Sequence, residues 1–244
     1  MKPFLLLATR AEDEAADNEY AAFLEAGGLE PAELHRVRLE AVPMPALDLD
    51  DYSGIVVGGS PFTTSDPEEE KSESQRRVER ELGPLLDDVL ARDRPFLGAC
   101  YGIGLLGTHL RGVVDRRWSE PIGRVRVSLT PEGAEDPLFS ALPESFDAFV
   151  GHKEACTELP PGAVLLATGE NCPVQAFRIG RNVYATQFHP ELTVDGIVTR
   201  IHVYRNYGYF QPDQMHALIE SVEGVSVPEP GKVLAAFVRE YARP

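Results

Sequence analysis

The chain of 244 residues is 43% hydrophobic and 25% charged, the balance of a globular protein that can bury a sizeable core without help from a metal or disulfide. Its 39 acidic residues against 23 basic ones give a net charge of −16, which disfavours nonspecific attachment to nucleic acid or to an anionic membrane surface. The first apolar run, Phe4 to Ala8, is too short for a signal peptide or a membrane span. Three cysteines without a CxxC pair, Cys100, Cys156 and Cys172, suit neither a disulfide framework nor a zinc knuckle, so a reducing cytoplasmic setting is expected, with no metal and no cofactor.

Pro3 to Ala8 reads as a strand buried on both faces, as in a parallel sheet. Glu12 to Glu25 carries Ala15, Ala16, Tyr20, Ala21, Phe23 and Leu24 and stops at Gly27-Gly28, a helix C-cap signal. Leu34 to Leu39 alternates apolar and polar residues and reads as a more exposed strand. Tyr52 to Val57 is a buried strand running into the sharp turn Gly58-Gly59-Ser60-Pro61. Asp66-Pro67 followed by Glu68, Glu69 and Glu70 predicts a helix start; the helical face continues through Val78, Leu82, Leu86 and Val89, with a kink or split expected at Gly83-Pro84.

Phe96 and Leu97 give another buried strand, and Ile103, Leu105, Leu106 and Leu110 the helix that follows it. Strands alternating with helices to this point predict an α/β fold around a parallel sheet. From Val113 the texture changes to short strands at Gly123 to Leu129, Ser145 to Val150, Ala163 to Thr168, Val174 to Ile179 and Asn182 to Thr186, which add antiparallel strands or hairpins at the sheet edge. Val198 to Tyr204, Gln214 to Val222 and Lys232 to Tyr241 are helix candidates.

The stretch Arg94 to Leu106 places Cys100 between a strand and a helix, in the pattern Gly98-Ala99-Cys100-Tyr101-Gly102. Such a turn exposes a nucleophile, and the positive helix N-terminus favours thiolate over thiol. Gly58-Gly59 ends an earlier strand, and His189 with Glu191 ends a later one. In a parallel sheet these ends converge at the carboxyl edge, where ligands bind. A thiol, an imidazole and a carboxylate there form the set for nucleophilic acyl transfer: Cys100 attacks a carbonyl carbon, His189 moves the proton and Glu191 orients the imidazole. The backbone N–H groups of Gly59 and Tyr101 are the natural oxyanion donors.

The pair GACYG at 98–102 and QFHPE at 187–191, after a glycine turn, resembles the class I (triad) glutamine amidotransferase domain, most nearly that of GMP synthase. The resemblance covers most of residues 1–205, which are expected to form one amidotransferase-like domain, with 206–244 a helical extension packed on it. It implies a mixed, mainly parallel open sheet flanked by helices, flavodoxin-like, and hydrolysis of the glutamine side-chain amide to glutamate and ammonia through a thioester. Gly58, Gly102, Gly104, His152 and Gln175 then fall where substrate is held, His152 also being readable as a loop histidine with a structural partner. Departures stand out at three places: Gly104 replaces a family Gln, Gly58-Gly59-Ser60-Pro61 replaces the usual Gly-Gly-Pro, and Lys153-Glu154 replaces Gly-Asp.

Missing a polar partner, an amide pocket loses discrimination, so the substrate expected is glutamine or a related γ-glutamyl compound. A separate synthetase or acceptor subunit is the implied partner, and homodimerisation is left open. Two alternatives stand beside the amidotransferase: a γ-glutamyl hydrolase acting on another amide, and a non-catalytic binding subunit that keeps the fold.

Overall fold

An entirely apolar strand must be covered on both sides, and the runs with that composition lie side by side in the computed structural model, which describes residues 1–244. In chain order the strands are β1 (Phe4–Ala8), β2 (Leu34–Arg38), β3 (Ile55–Val57), β4 (Phe96–Ala99), β5 (Val113–Asp115), β6 (Glu120–Leu129), β7 (Ser145–His152), β8 (Ala155–Glu158), β9 (Val164–Gly169), β10 (Ala176–Ile179) and β11 (Val183–Thr186). The helices are α1 (Asp13–Gly27), α2 (Glu73–Arg92), α3 (Tyr101–His109), α4 (Pro131–Glu135), α5 (Val194–Val203), α6 (Met215–Val222) and α7 (Glu229–Tyr241).

Nine strands form one sheet in the order β2-β1-β3-β4-β11-β10-β9-β6-β7, and β5 pairs with β8 in a separate ribbon. The half from β2 to β11 is parallel and the rest antiparallel, so the expected mixed, mainly parallel sheet with antiparallel additions at its edge is the sheet found. Alternation along β1 divides the core: Phe4 and Leu6 join the cluster under α1 and α7, while Leu5 and Leu7 join the one under α2 and α3. Phe237 of α7 is fully buried, 5.9 Å from Phe4 between ring centroids, a burial contributing about 2–3 kcal/mol. This ties the C-terminal segment to the body of the sheet. No helix is long and apolar enough to cross a membrane.

Two local expectations are corrected. The helix expected at Asp66-Pro67 begins instead at Glu73, because Ser72 is the N-cap, its hydroxyl accepting from Gln75 N at 3.1 Å, while Asp66 pairs with Arg116. The helix also runs unbroken through Gly83-Pro84. Gly83 has no Cβ for the proline ring to strike, Pro84 faces water, and the buried stripe Val78, Leu82, Leu86 and Val89 anchors both halves to the sheet. Strand β8 and helix α4 were not legible in the sequence.

Candidate active site

Cys100 follows β4 and caps α3 with φ 53° and ψ −90°, a conformation an L-residue holds only when its surroundings enforce it. Its N–H donates to Thr186 O at 2.7 Å, tying the turn to β11. A Cβ on Gly98 would lie 2.8 Å from the Gly102 carbonyl carbon, so only glycine lets strand and helix approach this closely. The Cys100 Sγ lies 3.9 Å from Gly151 O and is almost entirely buried. Burial pushes the thiol up to about 12 against the pull of Arg10 and Arg200. Burial thus works against the thiolate that a helix N-terminus favours.

His189 lies just beyond β11, its backbone N–H donating to Phe149 O at 3.1 Å. Its Nδ1 is 2.9 Å from Glu191 Oε1, which also accepts from Arg200 Nη2 at 2.7 Å; all three side chains are buried. Burial lowers the imidazole to about 4, with Glu191 pulling it up and Arg200 and Arg10 pulling it down. Burial would raise Glu191, yet His189 and Arg200 hold it well below the usual carboxylate range. With its proton on Nδ1, His189 donates to Glu191 and keeps a lone pair on Nε2 for a thiol proton. Arg200 Nη1, 2.9 Å from the same Nδ1, competes for that nitrogen as a donor.

The charged network extends further. Glu19 of α1 pairs with Arg10 at 2.8 Å, lies 3.6 Å from Arg200, and accepts the Gly59 N–H at 3.2 Å. The Gly59 donor expected to face an oxyanion is thus engaged by a carboxylate, and a Cβ on Gly58 would lie 2.7 Å from the same Glu19. Tyr101 opens α3, where a backbone N–H has no intrahelical acceptor, and its ring packs edge-on to Phe62 with centroids 6.0 Å apart. His152 lines the wall near Cys100 with both ring nitrogens engaged, Nδ1 to Glu154 O and Nε2 to Glu120 Oε2, each at 2.9 Å. Gln175 donates to the same Glu120 oxygen at 2.8 Å. Glu120, His152 and Cys172 bring potential ligand atoms within 4.8 Å of one another, but the histidine and the carboxylate already satisfy each other.

The departures at Gly104 and Glu154 form one contact. A Cβ on Gly104 would meet Glu154 Oε1 at 2.7 Å and Thr64 Oγ1 at 3.2 Å, so the Glu154 carboxylate occupies the space a longer residue at 104 would need. That carboxylate accepts from Thr64 N (2.8 Å), Thr64 Oγ1 (2.9 Å) and Ser65 N (2.7 Å), pinning the loop after β3. Burial lowers the neighbouring Lys153, whose ammonium lies 4.7 Å from the centre of the Tyr209 ring.

Cys100 and His189 share a chamber of about 20 Å³ with Ser60, Arg10, Arg200 and Tyr209. The Tyr209 hydroxyl donates to Ser60 O at 3.4 Å. Behind Tyr209 and Lys153 lies a polar cavity of about 340 Å³, also lined by Arg116, Ser119 and His152. Sequence reasoning missed Arg10, Glu19 and Arg200. Their signals were faint: Arg10 stands just past a buried strand, Glu19 shares a helical face with Ala15 and Phe23, and Arg200 lies between Ile197 and Ile201.

The family model described as Glutamine amidotransferase class-I matches residues 26–197. The chain is similar to the GMP synthase [glutamine-hydrolyzing] of Thermosipho africanus, 33% identical over 108 residues that make up 44% of this chain and 20% of that protein. To the enzyme of the same name from Streptomyces avermitilis it is 29% identical over 163 residues, 64% of this chain and 28% of that protein. The chain thus spans about a fifth to a quarter of the length of these relatives. A crystal structure of a glutamine amidotransferase from Thermotoga maritima superposes with a TM-score of 0.76 at 21% identity, covering 98% of this chain and 97% of that one, a likeness of fold alone.

Proposed function

We propose, from the premise that this chain belongs to the class I glutamine amidotransferase family, that it hydrolyses the side-chain amide of glutamine through a thioester on Cys100 and supplies ammonia to a separate acceptor chain. The observation carrying this reading is the strained Cys100 turn facing the same chamber as His189, whose Nδ1 lies 2.9 Å from the buried Glu191. The thiol proton passes to His189 Nε2 as Sγ bonds to the amide carbon and the carbonyl π pair moves to oxygen. Collapse re-forms the carbonyl and breaks the C–N bond, the nitrogen leaving as ammonia with the proton from His189. Water then hydrolyses the thioester to the γ-carboxylate, with His189 as base. Glu191 holds the imidazole and stabilises its charged form, and the Tyr101 N–H is the backbone oxyanion donor.

The relatives named GMP synthase support an acceptor that is a synthetase, and we propose a cytoplasmic setting for both. Glutamate release from glutamine by the wild type, abolished in Cys100→Ala, is the expected result. Equal rates in both proteins with candidate synthetases present would overturn it. A second reading, hydrolysis of a larger γ-glutamyl amide, is favoured by Glu154 filling the space beside Gly104 and by the 340 Å³ cavity adjoining the chamber. A panel of γ-glutamyl amides separates the two, since a clear preference for free glutamine excludes the second.

A further inference from the structure

Arg10 is the residue whose place in the site calls for a ligand. It leaves the carboxyl end of β1, is almost fully buried, and lines the chamber with Cys100 and His189. Its Nε donates to Glu19 at 2.8 Å and its Nη1 to the Tyr204 hydroxyl at 3.1 Å. The third nitrogen, Nη2, makes no hydrogen bond within the protein. A Cβ built on Gly59 would lie 2.4 Å from this Nη2 and 2.6 Å from His189 Cε1, so guanidinium and imidazole converge over Gly59 with no room even for a methyl group. Meanwhile the Gly59 N–H, a natural oxyanion donor, points at Glu19 Oε1.

Resting on the acyl-transfer reading above, we infer that Arg10 is an oxyanion donor of this site, its free Nη2 taking the developing negative charge in place of the engaged Gly59 N–H. When Cys100 Sγ bonds to the amide carbon, the carbonyl π pair moves onto oxygen, and that charge forms in a small, largely buried chamber where a fixed cationic donor acts strongly. Glu19 and Tyr204 hold the guanidinium by its other two nitrogens, so its direction is set before substrate arrives. On leaving-group departure the pair returns to the carbonyl and Arg10 is unchanged. The same donor serves the second tetrahedral intermediate, formed when water attacks the thioester.

The test compares wild type, Arg10→Lys and Arg10→Met in two reactions of Cys100. Amide hydrolysis passes through an oxyanion; alkylation by iodoacetamide is a displacement at carbon that does not. Arg10→Lys keeps a cation for Glu19 but gives up the buried bond to the Tyr204 hydroxyl, so its thermal midpoint should fall by only a few degrees, and its single nitrogen cannot both pair with Glu19 and reach the chamber. It should lose roughly 10- to 100-fold in kcat, and Arg10→Met about 100- to 1000-fold, with KM within about threefold. Alkylation of Cys100 in Arg10→Lys should change by less than about fivefold. A kcat for Arg10→Lys and Arg10→Met within about threefold of wild type overturns the inference, as does an equal loss in hydrolysis and alkylation, the mark of a structural role. A wild type inert toward glutamine and every γ-glutamyl amide defeats instead the functional reading on which the inference rests.

Discussion

Gly104→Gln would install the residue that the family resemblance expects, and its first side-chain atom already lies 2.7 Å from Glu154 Oε1 and 3.2 Å from Thr64 Oγ1. Glu154 is the part able to move, but doing so gives up its bonds from Thr64 N, Thr64 Oγ1 and Ser65 N. Hydrogen bonds to a charged group contribute about 1.5–3 kcal/mol each, and water from the neighbouring chamber restores part of them, leaving a net loss of about 2–4 kcal/mol. For a chain of this length that is roughly 4–16 °C in Tm. Glu154→Asp retracts the carboxylate by one methylene and makes room, so the double variant should recover most of the loss. Urea unfolding of the four proteins should give a coupling of about 1–3 kcal/mol. Additive effects, or Gly104→Gln within about 0.5 kcal/mol of wild type, would refute the steric account.

His189→Ala should lower kcat for amide hydrolysis by about 1000-fold or more, while Glu191→Gln, which keeps an oxygen acceptor for Nδ1, should cost about 10- to 100-fold. If Glu191→Gln proves as damaging as Cys100→Ala, the supporting role given to Glu191 is wrong. Acid should destabilise the fold through His189: its value of about 4 lies below the ordinary 6.5, so the unfolded chain takes up the proton first as pH falls. The stability present above about pH 6.5 is then lost between 6.5 and 4, on the order of 3 kcal/mol, and Glu191 adds to the loss at lower pH. Urea midpoints at pH 7 and pH 5 should show this in wild type and much less in His189→Gln; equal pH dependence in both would contradict it. Tyr209→Ala should speed iodoacetamide alkylation of Cys100 by about tenfold or more, because the chamber that Tyr209 helps to line has space for only a water or two. An unchanged rate would show that reagent enters by another route.

The parallel half of the sheet was legible because its strands are unbroken apolar runs ended by turn residues: Phe4 to Ala8, Ile55 to Val57 before Gly58-Gly59, and Phe96 to Ala99 before Cys100. The same pattern brought Cys100, His189 and Glu191 to one edge of the sheet. The start of α2 was misread because Asp66-Pro67 has the chemistry of a helix start, yet Asp66 pairs with Arg116 and Ser72 supplies the cap. The buried ions were illegible for a different reason. A charged residue in an amphipathic helix ordinarily faces water, and only tertiary packing brings Glu19 of α1, Arg10 after β1 and Arg200 of α5 together behind His189. Nor could one sequence show that Gly104 and Glu154, fifty positions apart, are two sides of one contact.

The central claim is a covalent γ-glutamyl thioester on Cys100, and intact-mass measurement after rapid acid quench of wild type with saturating glutamine or γ-glutamyl amide tests it most directly. The account predicts an adduct of the mass of one γ-glutamyl group, located on the Cys100 peptide, rising before glutamate accumulates and absent from Cys100→Ala. Glutamate formed at the wild-type rate by Cys100→Ala, or by wild type with the label on Cys156 or Cys172, would contradict it.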